Sequence, residues 1–125
     1  MKIFNLKLSN SGNGYRYNKK ILNIDNIPNK LIISSHKNVD ELRLFMNEKG
    51  YKIIKEIVLQ ENDIFYDIIK YEKGNEILNK YELLVGKSNS LEYEKHLLEK
   101  YKIIYNKSKN KKYLDYINII ERKLD

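Results

Sequence analysis

The apolar residues of this chain use two periods, and their distribution limits the folds open to it. As far as Tyr71 they recur at every second position or in short unbroken runs, apart from one stretch at helical spacing from Val39 to Met46, and from Leu91 onward they recur every three or four. The first spacing is that of strands and the second that of helices. Phe4, Leu6 and Leu8 alternate with Asn5, Lys7 and Ser9, which predicts a strand over Ile3 to Leu8. Asn5 and Lys7 make its second face polar, as expected of a strand at a sheet edge or covered on one side. Leu31-Ile32-Ile33 is apolar throughout and predicts a strand covered on both faces. Between the two, Asn10-Ser11-Gly12-Asn13-Gly14 predicts a loop, Tyr15 to Leu22 a short helix, and Asp25-Asn26-Ile27-Pro28-Asn29 a second turn.

Asn38 or Asp40 can cap a helix whose apolar residues Val39, Leu42, Phe45 and Met46 recur at helical spacing and stop at Gly50. Tyr51 to Leu59 and Ile64 to Tyr71 are rich in β-branched and aromatic residues, and Gln60-Glu61-Asn62-Asp63 between them predicts a hairpin. The order of elements is that of an α/β sheet, parallel at first and closed by an antiparallel pair. Residues 74–90 lose the pattern and read as a linker. Beyond it, Leu91, Leu97, Leu98, Tyr101, Ile104 and Tyr105 mark one helical face, and Tyr113, Tyr116, Ile117, Ile120 and Leu124 another. Lys107-Ser108-Lys109-Asn110-Lys111-Lys112 joins them, which predicts an antiparallel helical hairpin with a basic tip. The chain thus divides into an α/β part over 1–73, a linker over 74–90 and a helical hairpin over 91–125.

A formal charge of +7, from 24 basic and 17 acidic residues, attracts polyanions. The heavy use of Asn, Lys, Ile and Tyr is the mark of an AT-rich genome, so part of this charge is mutational. Cysteine is absent, which excludes disulfides, thiolate metal sites and cysteine nucleophiles and points to the cytoplasm. No apolar stretch approaches the roughly 20 residues of a membrane span.

His36 follows the apolar strand, where α/β sheets place ligand-contacting groups, but no orienting carboxylate stands at readable spacing. His96 reads as a surface residue, and two histidines so far apart make no metal motif. Asp63, Asp67 and Glu72 read as solvated carboxylates of the hairpin. Tyr101, Tyr105, Tyr113 and Tyr116 lie at helix-face spacing and read as packing rather than base stacking. Lys107, Lys109, Lys111 and Lys112 form the best binding candidate, because clustered cations on an exposed tip suit phosphate contacts.

Several segments, in order, resemble the TrmK family of tRNA adenine methyltransferases. Ser11-Gly12-Asn13-Gly14-Tyr15 stands where that family has a Gly-Met-Gly-Gly loop, and Leu31-Ile32-Ile33-Ser34-Ser35-His36 is similar to its Leu-Ile-Leu-Gln-Pro-Asn. Leu42-Arg43 through Gly50-Tyr51 resembles its Leu-Arg-x-x-Leu-x-x-x-Gly-Tyr, Phe65-Tyr66-Asp67-Ile68-Ile69 its Tyr-Glu-Ile-Ile, and Leu83-Leu84-Val85-Gly86-Lys87 its Leu-Leu-Val-Gly-Pro. The resemblance implies a partial Rossmann-like methyltransferase sheet, with strands equivalent to the fourth to seventh, followed by a helical coiled-coil segment. It makes Gly12, Asn13, Gly14, Ser34, Ser35 and His36 the remnant of an active-site loop, without a catalytic residue or a metal. The family's cofactor is S-adenosylmethionine, held by a first βα turn that nothing ahead of Met1 supplies. The expectation is therefore a truncated or degenerate methyltransferase-like chain that keeps affinity for tRNA but neither binds the cofactor nor transfers methyl groups alone. The alternatives are an interaction module that pairs through its exposed first strand, with itself or another chain, and one half of a split enzyme that pairs with the missing first half.

Overall fold

The computed structural model describes the backbone of residues 2–6 and all of residues 28–123. The Gly12-Asn13-Gly14 loop, the helix expected over Tyr15 to Leu22, and Leu124 lie outside the described residues. The elements are β1 (Lys2–Leu6), β2 (Lys30–Ser35), α1 (Val39–Glu48), β3 (Tyr51–Glu61), β4 (Ile64–Lys73), α2 (Lys80–Val85), α3 (Leu91–Ser108) and α4 (Lys111–Arg122). The four strands form one sheet in the order β1-β2-β4-β3. β1 runs parallel to β2, with Lys2 opposite Leu31 and Leu6 opposite Ser35, while β4 is antiparallel to both β2 and β3. This is the α/β sheet closed by an antiparallel pair, with the helical hairpin following it. Among the described residues β1 is an edge.

β2 departs from the expectation of two covered faces. Leu31, Ile33 and Ser35 are buried on one side, and Ile32 and Ser34 are only half-buried on the other. Leu31 and Ile33 pack with Ile69 and Tyr71 of β4, Tyr51 and Ile53 of β3, and Val39, Leu42 and Met46 of α1 in a first core. The helix stops where its sequence indicates: Gly50 takes a φ of +83°, the left-handed region that glycine enters without Cβ strain. Asn38 stands at the N-cap, but with a φ of 50° and no side-chain hydrogen bond to the helix.

A β-bulge at Ile54 decides what the hairpin buries. Ile53 pairs with Tyr71 and Lys55 with Lys70, so Ile54 is left over, and the inward face passes from odd to even positions. Tyr51 and Ile53 point inward before the bulge, and Glu56 points inward after it. Residues 74–90 are not featureless. Glu76 accepts a hydrogen bond from the Ile53 amide at 3.0 Å, covering part of the β3 edge. α2 opens with a capping box in which Asn79 accepts from the Glu82 amide and Glu82 accepts from that of Asn79.

Arg43, on the buried face of α1, joins these pieces. One guanidinium nitrogen donates to Glu56 of β3 at 2.7 Å, to Asp67 of β4 at 2.6 Å and to the Val85 carbonyl at 3.2 Å. The other donates to the carbonyls of Leu83 and Leu84 at 2.8 and 3.1 Å, so one cation also caps the C-terminus of α2. Asp67, read from sequence as a solvated carboxylate, is 1% exposed. The reading failed because alternation along β4 gives no sign of a cation delivered from α1. Glu72 matches its reading, pairing with Lys30 at the surface at 3.9 Å.

Burial works against the charge of Arg43, but Asp67 and Glu56 outweigh it and hold its pKa above the ordinary value. Burial also opposes the charge of Glu56, which the guanidinium keeps below its usual range. Asp67 is pushed up to about 9 by burial, against the pull of Arg43 and helped by a hydrogen bond to Glu56. Burial and the neighbouring Glu56 thus favour the protonated form of Asp67, and Arg43 opposes them.

The folded chain holds a proton on Asp67 that the unfolded chain releases above its ordinary pKa of 3.8. Its contribution to stability falls as pH rises from about 4 toward 9. Glu56 acts in the opposite sense: its contribution is present above its unfolded pKa of 4.5 and is lost as pH falls through its lower folded value. Urea unfolding of Asp67→Asn should show a weaker decline toward alkaline pH than the unaltered chain. Arg43→Met strands two buried carboxyls and should cost about 3–5 kcal/mol.

Candidate functional site

Ser34, Ser35 and His36 end β2 at its carboxyl side. Ser34 is half-buried, and Ser35 is fully buried with its hydroxyl donating to the Lys37 carbonyl at 3.3 Å. His36 is half-buried, its ring 5.4 Å from that of Tyr66 on β4. The rest of the expected loop remnant, Gly12, Asn13 and Gly14, lies outside the described residues.

The helical hairpin packs against α2 and the tip half of the β-hairpin. Tyr93, Leu97 and Tyr101 of α3 and Ile117, Ile119 and Ile120 of α4 form a second core with Leu84 and Val85, against which Val58 and Phe65 of the β-hairpin also pack. Tyr101 is buried, with its ring 5.2 Å from Tyr116 and 5.9 Å from Tyr113, so it is a packing group as its spacing indicates, while Tyr113 and Tyr116 are half-buried and line a cleft. Burial raises the pKa of Tyr101 and Tyr116, which keeps both hydroxyls protonated at neutral pH.

The connection between α3 and α4 is shorter than the lysine run indicates, since only Lys109 and Asn110 lie between the helices. Lys109 adopts a left-handed φ of 56°, and the Asn110 side chain accepts a hydrogen bond from the Lys112 amide at 3.0 Å. Lys107 sits in the last turn of α3, where the helix dipole favours a cation. Lys111 and Lys112 occupy the first turn of α4, which contains no acidic residue, so two cations stand at the positive end of a dipole. All four lysines are exposed.

The hairpin and the carboxyl end of β2 face each other across a cleft of about 400 Å³. His36 and Lys37 line it from the sheet, Asp40 and Glu41 from α1, Asp63 and Phe65 from the β-hairpin tip, and His96 and Lys100 from α3. Lys112, Tyr113 and Tyr116 close it from α4, and the Lys112 ammonium lies 5.4 and 5.7 Å from the centres of those two rings. The fold thus brings His36 and Lys112, far apart in sequence, to one cavity. Lys107, Lys109 and Lys111 are not part of its lining. His96 is exposed, as its sequence context indicates, with its ring 4.6 Å from Phe65 and its pKa lowered by burial and by Lys100. Phe65, His96 and Lys100 were not legible as site residues, because only the docking of α3 on the hairpin brings them together. Among the described residues no His, Asp and Glu are grouped to hold a metal, and no helix is long and apolar enough to cross a membrane.

The sequence profile of TrmK, tRNA (adenine(22)-N(1))-methyltransferase, matches residues 14–124. A search of curated protein sequences gives no significant match. Among solved structures, a Streptococcus agalactiae protein of the NADB-Rossmann superfamily aligns with a TM-score of 0.73 at 20% identity, covering 99% of this chain and 60% of its own. The TrmK of M. capricolum, solved with S-adenosylhomocysteine, aligns at 0.69 and 24% identity over 88% of this chain and 55% of its own. The B. subtilis m1A22 tRNA methyltransferase TrmK aligns at 0.61 and 22% identity over 77% of this chain and 51% of its own. The chain spans a little over half the length of the solved structures it matches.

The arrangement of charge at α4 gives a measurable consequence for stability. Replacing Lys111 with Glu exchanges an unfavourable helix-end charge for a favourable one and should raise the thermal midpoint by about 1–5 °C. A fall in the midpoint would show that Lys111 has a stabilising partner.

Proposed function

The chain belongs to the TrmK family, and on that premise we propose that it is the RNA-facing part of a tRNA adenine-N1 methyltransferase-like protein. It holds tRNA through the helical hairpin. The observation that carries this reading is the cluster of exposed lysines at the tip, two of them where the α4 dipole disfavours a cation. Such charge raises the local positive potential at the expense of the helix and suits phosphate contacts.

S-adenosylmethionine would supply the methyl group. The buried carboxyl groups of Glu56 and Asp67 are closed around Arg43 and cannot reach the hydroxyls of a ribose. Ser34-Ser35-His36 also departs from the family's Gln-Pro-Asn. These residues do not fit the cofactor, so the reading concerns RNA alone.

A second reading is favoured by the sheet face opposite α1. Ile57 and Leu59 are 41% and 52% exposed there, beside half-buried Ile32 and Ile68, and β1 is an edge among the described residues. An apolar face next to an open strand suits the polypeptide that completes the fold of the relatives, on this chain or on another. A second copy of this chain is the competing occupant, and sedimentation velocity of the isolated chain separates the two.

Changing Lys107, Lys109, Lys111 and Lys112 together to Gln should weaken tRNA binding tenfold or more at low salt, uniformly across RNA sequences. The dependence of log affinity on log salt should become shallower by about 3 if each lysine meets one phosphate. Unchanged affinity and slope, with helix content intact, would reduce the tip to a solvated connection.

A further inference from the structure

Resting on the RNA-binding reading, we propose that the cleft between the β-hairpin tip and the helical hairpin seats one unstacked nucleotide of the bound RNA. Its base lies between the Phe65–His96 and Tyr113–Tyr116 walls, and its phosphate lies toward Lys100 and Lys112. The cavity of about 400 Å³ falls within the size range of small-ligand sites, and a single base can enter it only after leaving its stack. Its occupant is therefore a nucleotide from a loop, bulge or end, the regions of RNA whose bases are free to leave the stack.

Two aromatic pairs on different elements line the cleft. Phe65 and His96 lie 4.6 Å apart with their planes tilted by 36°, and Tyr113 and Tyr116 meet edge to face at 5.8 Å. Aromatic faces stack any base, so they give affinity without reading sequence. Lys100 and Lys112 are exposed cations within the same lining. Lys100 stands seven residues before Lys107, about 10 Å along the helix, so the cleft continues the basic surface of the tip.

The lining also contains Asp40, Glu41 and Asp63. Carboxylates repel a phosphate but accept hydrogen bonds from an exocyclic amine. The cleft therefore prefers adenine, cytosine or guanine to uracil, and its preference comes from these three groups while its affinity comes from the rings and lysines.

The test uses the whole chain with 5′-AMP, 5′-UMP and a short single-stranded oligoadenylate as probes. AMP should shift the NMR signals of Phe65, His96 and Tyr113, and UMP should do so less. His96→Ala should weaken oligoadenylate binding by about 5- to 100-fold, the loss expected of one stacked base, without changing the salt slope. His96→Phe should restore binding, which a purely structural role for His96 would not predict. Lys100→Gln should instead make the salt slope shallower by about 0.7. If His96→Ala binds oligoadenylate normally, or AMP leaves the cleft signals unmoved, the proposal fails. A quadruple tip variant that still weakens tRNA binding would then leave the broader RNA reading standing. If the tip variant is also neutral, both readings fail.

Discussion

A buried guanidinium is costly unless it is paired, and Arg43 is paired by drawing β3, β4 and the end of α2 onto α1, with its Nε and one Asp67 oxygen left without a hydrogen-bond partner. It draws on one carboxyl from β3, one from β4 and three carbonyls at the end of α2. Removing any one element exposes the others to an uncompensated charge, so the sheet, α1 and the segment leading to the helical hairpin form one cooperative unit. Gly86 is part of the closure. A Cβ at that position would collide with the Glu56 carboxylate and the Arg43 guanidinium, and the backbone there takes a φ of +88°. The Lys87 amide then donates to the second Glu56 oxygen at 3.0 Å, which brings the chain out of the cluster toward α3. The direction of α3, and with it the wall of the cleft, is set by where α2 is pinned.

The bulge at Ile54 is the condition for that pinning. Without the extra residue, the parity that buries Tyr51 and Ile53 would turn Glu56 to the solvent side and send Lys55 or Ile57 inward. With it, the hairpin supplies aliphatic groups to the first core near α1, a carboxyl to Arg43, and Val58 and Phe65 to the second core. One long β-hairpin therefore serves two cores.

Most of the fold was legible because it rests on apolar periodicity, which is local. The α1 face, the two strands of the hairpin and the tyrosine faces of α3 and α4 stand where alternation and helical spacing put them. The charged cluster was not legible, because a buried carboxyl in a strand looks the same in sequence as a solvated one until its cation arrives from another element. The helix at Lys80–Val85 carried a signal that was available, the Asn79 and Glu82 spacing of a capping box, but six residues give too short a periodic run to be recognised. The cleft left no trace in any one segment, since its walls come from β2, α1, the β-hairpin tip, α3 and α4. The lysine tip was legible as composition. Its division between a favourable and an unfavourable helix end required the turn at Lys109 and Asn110 to be seen.

The residues that carry the family resemblance and the residues that carry charge to the surface are different sets. Leu42-Arg43, Asp67 and Leu83 to Gly86 meet around one guanidinium, so these parts of the resemblance report how the fold closes rather than chemistry on a substrate. The lysines of the tip belong to none of those motifs and contribute nothing evident to closure. Lys111 and Lys112 stand at a helix end whose dipole opposes them, a cost that the rings of Tyr113 and Tyr116 offset in part for Lys112. Charge kept against the preference of its own helix, beside an aromatic cleft, is better explained by a ligand than by the fold. On the proposed reading that ligand is RNA, whose phosphates would answer the lysines and whose unpaired bases would answer the rings.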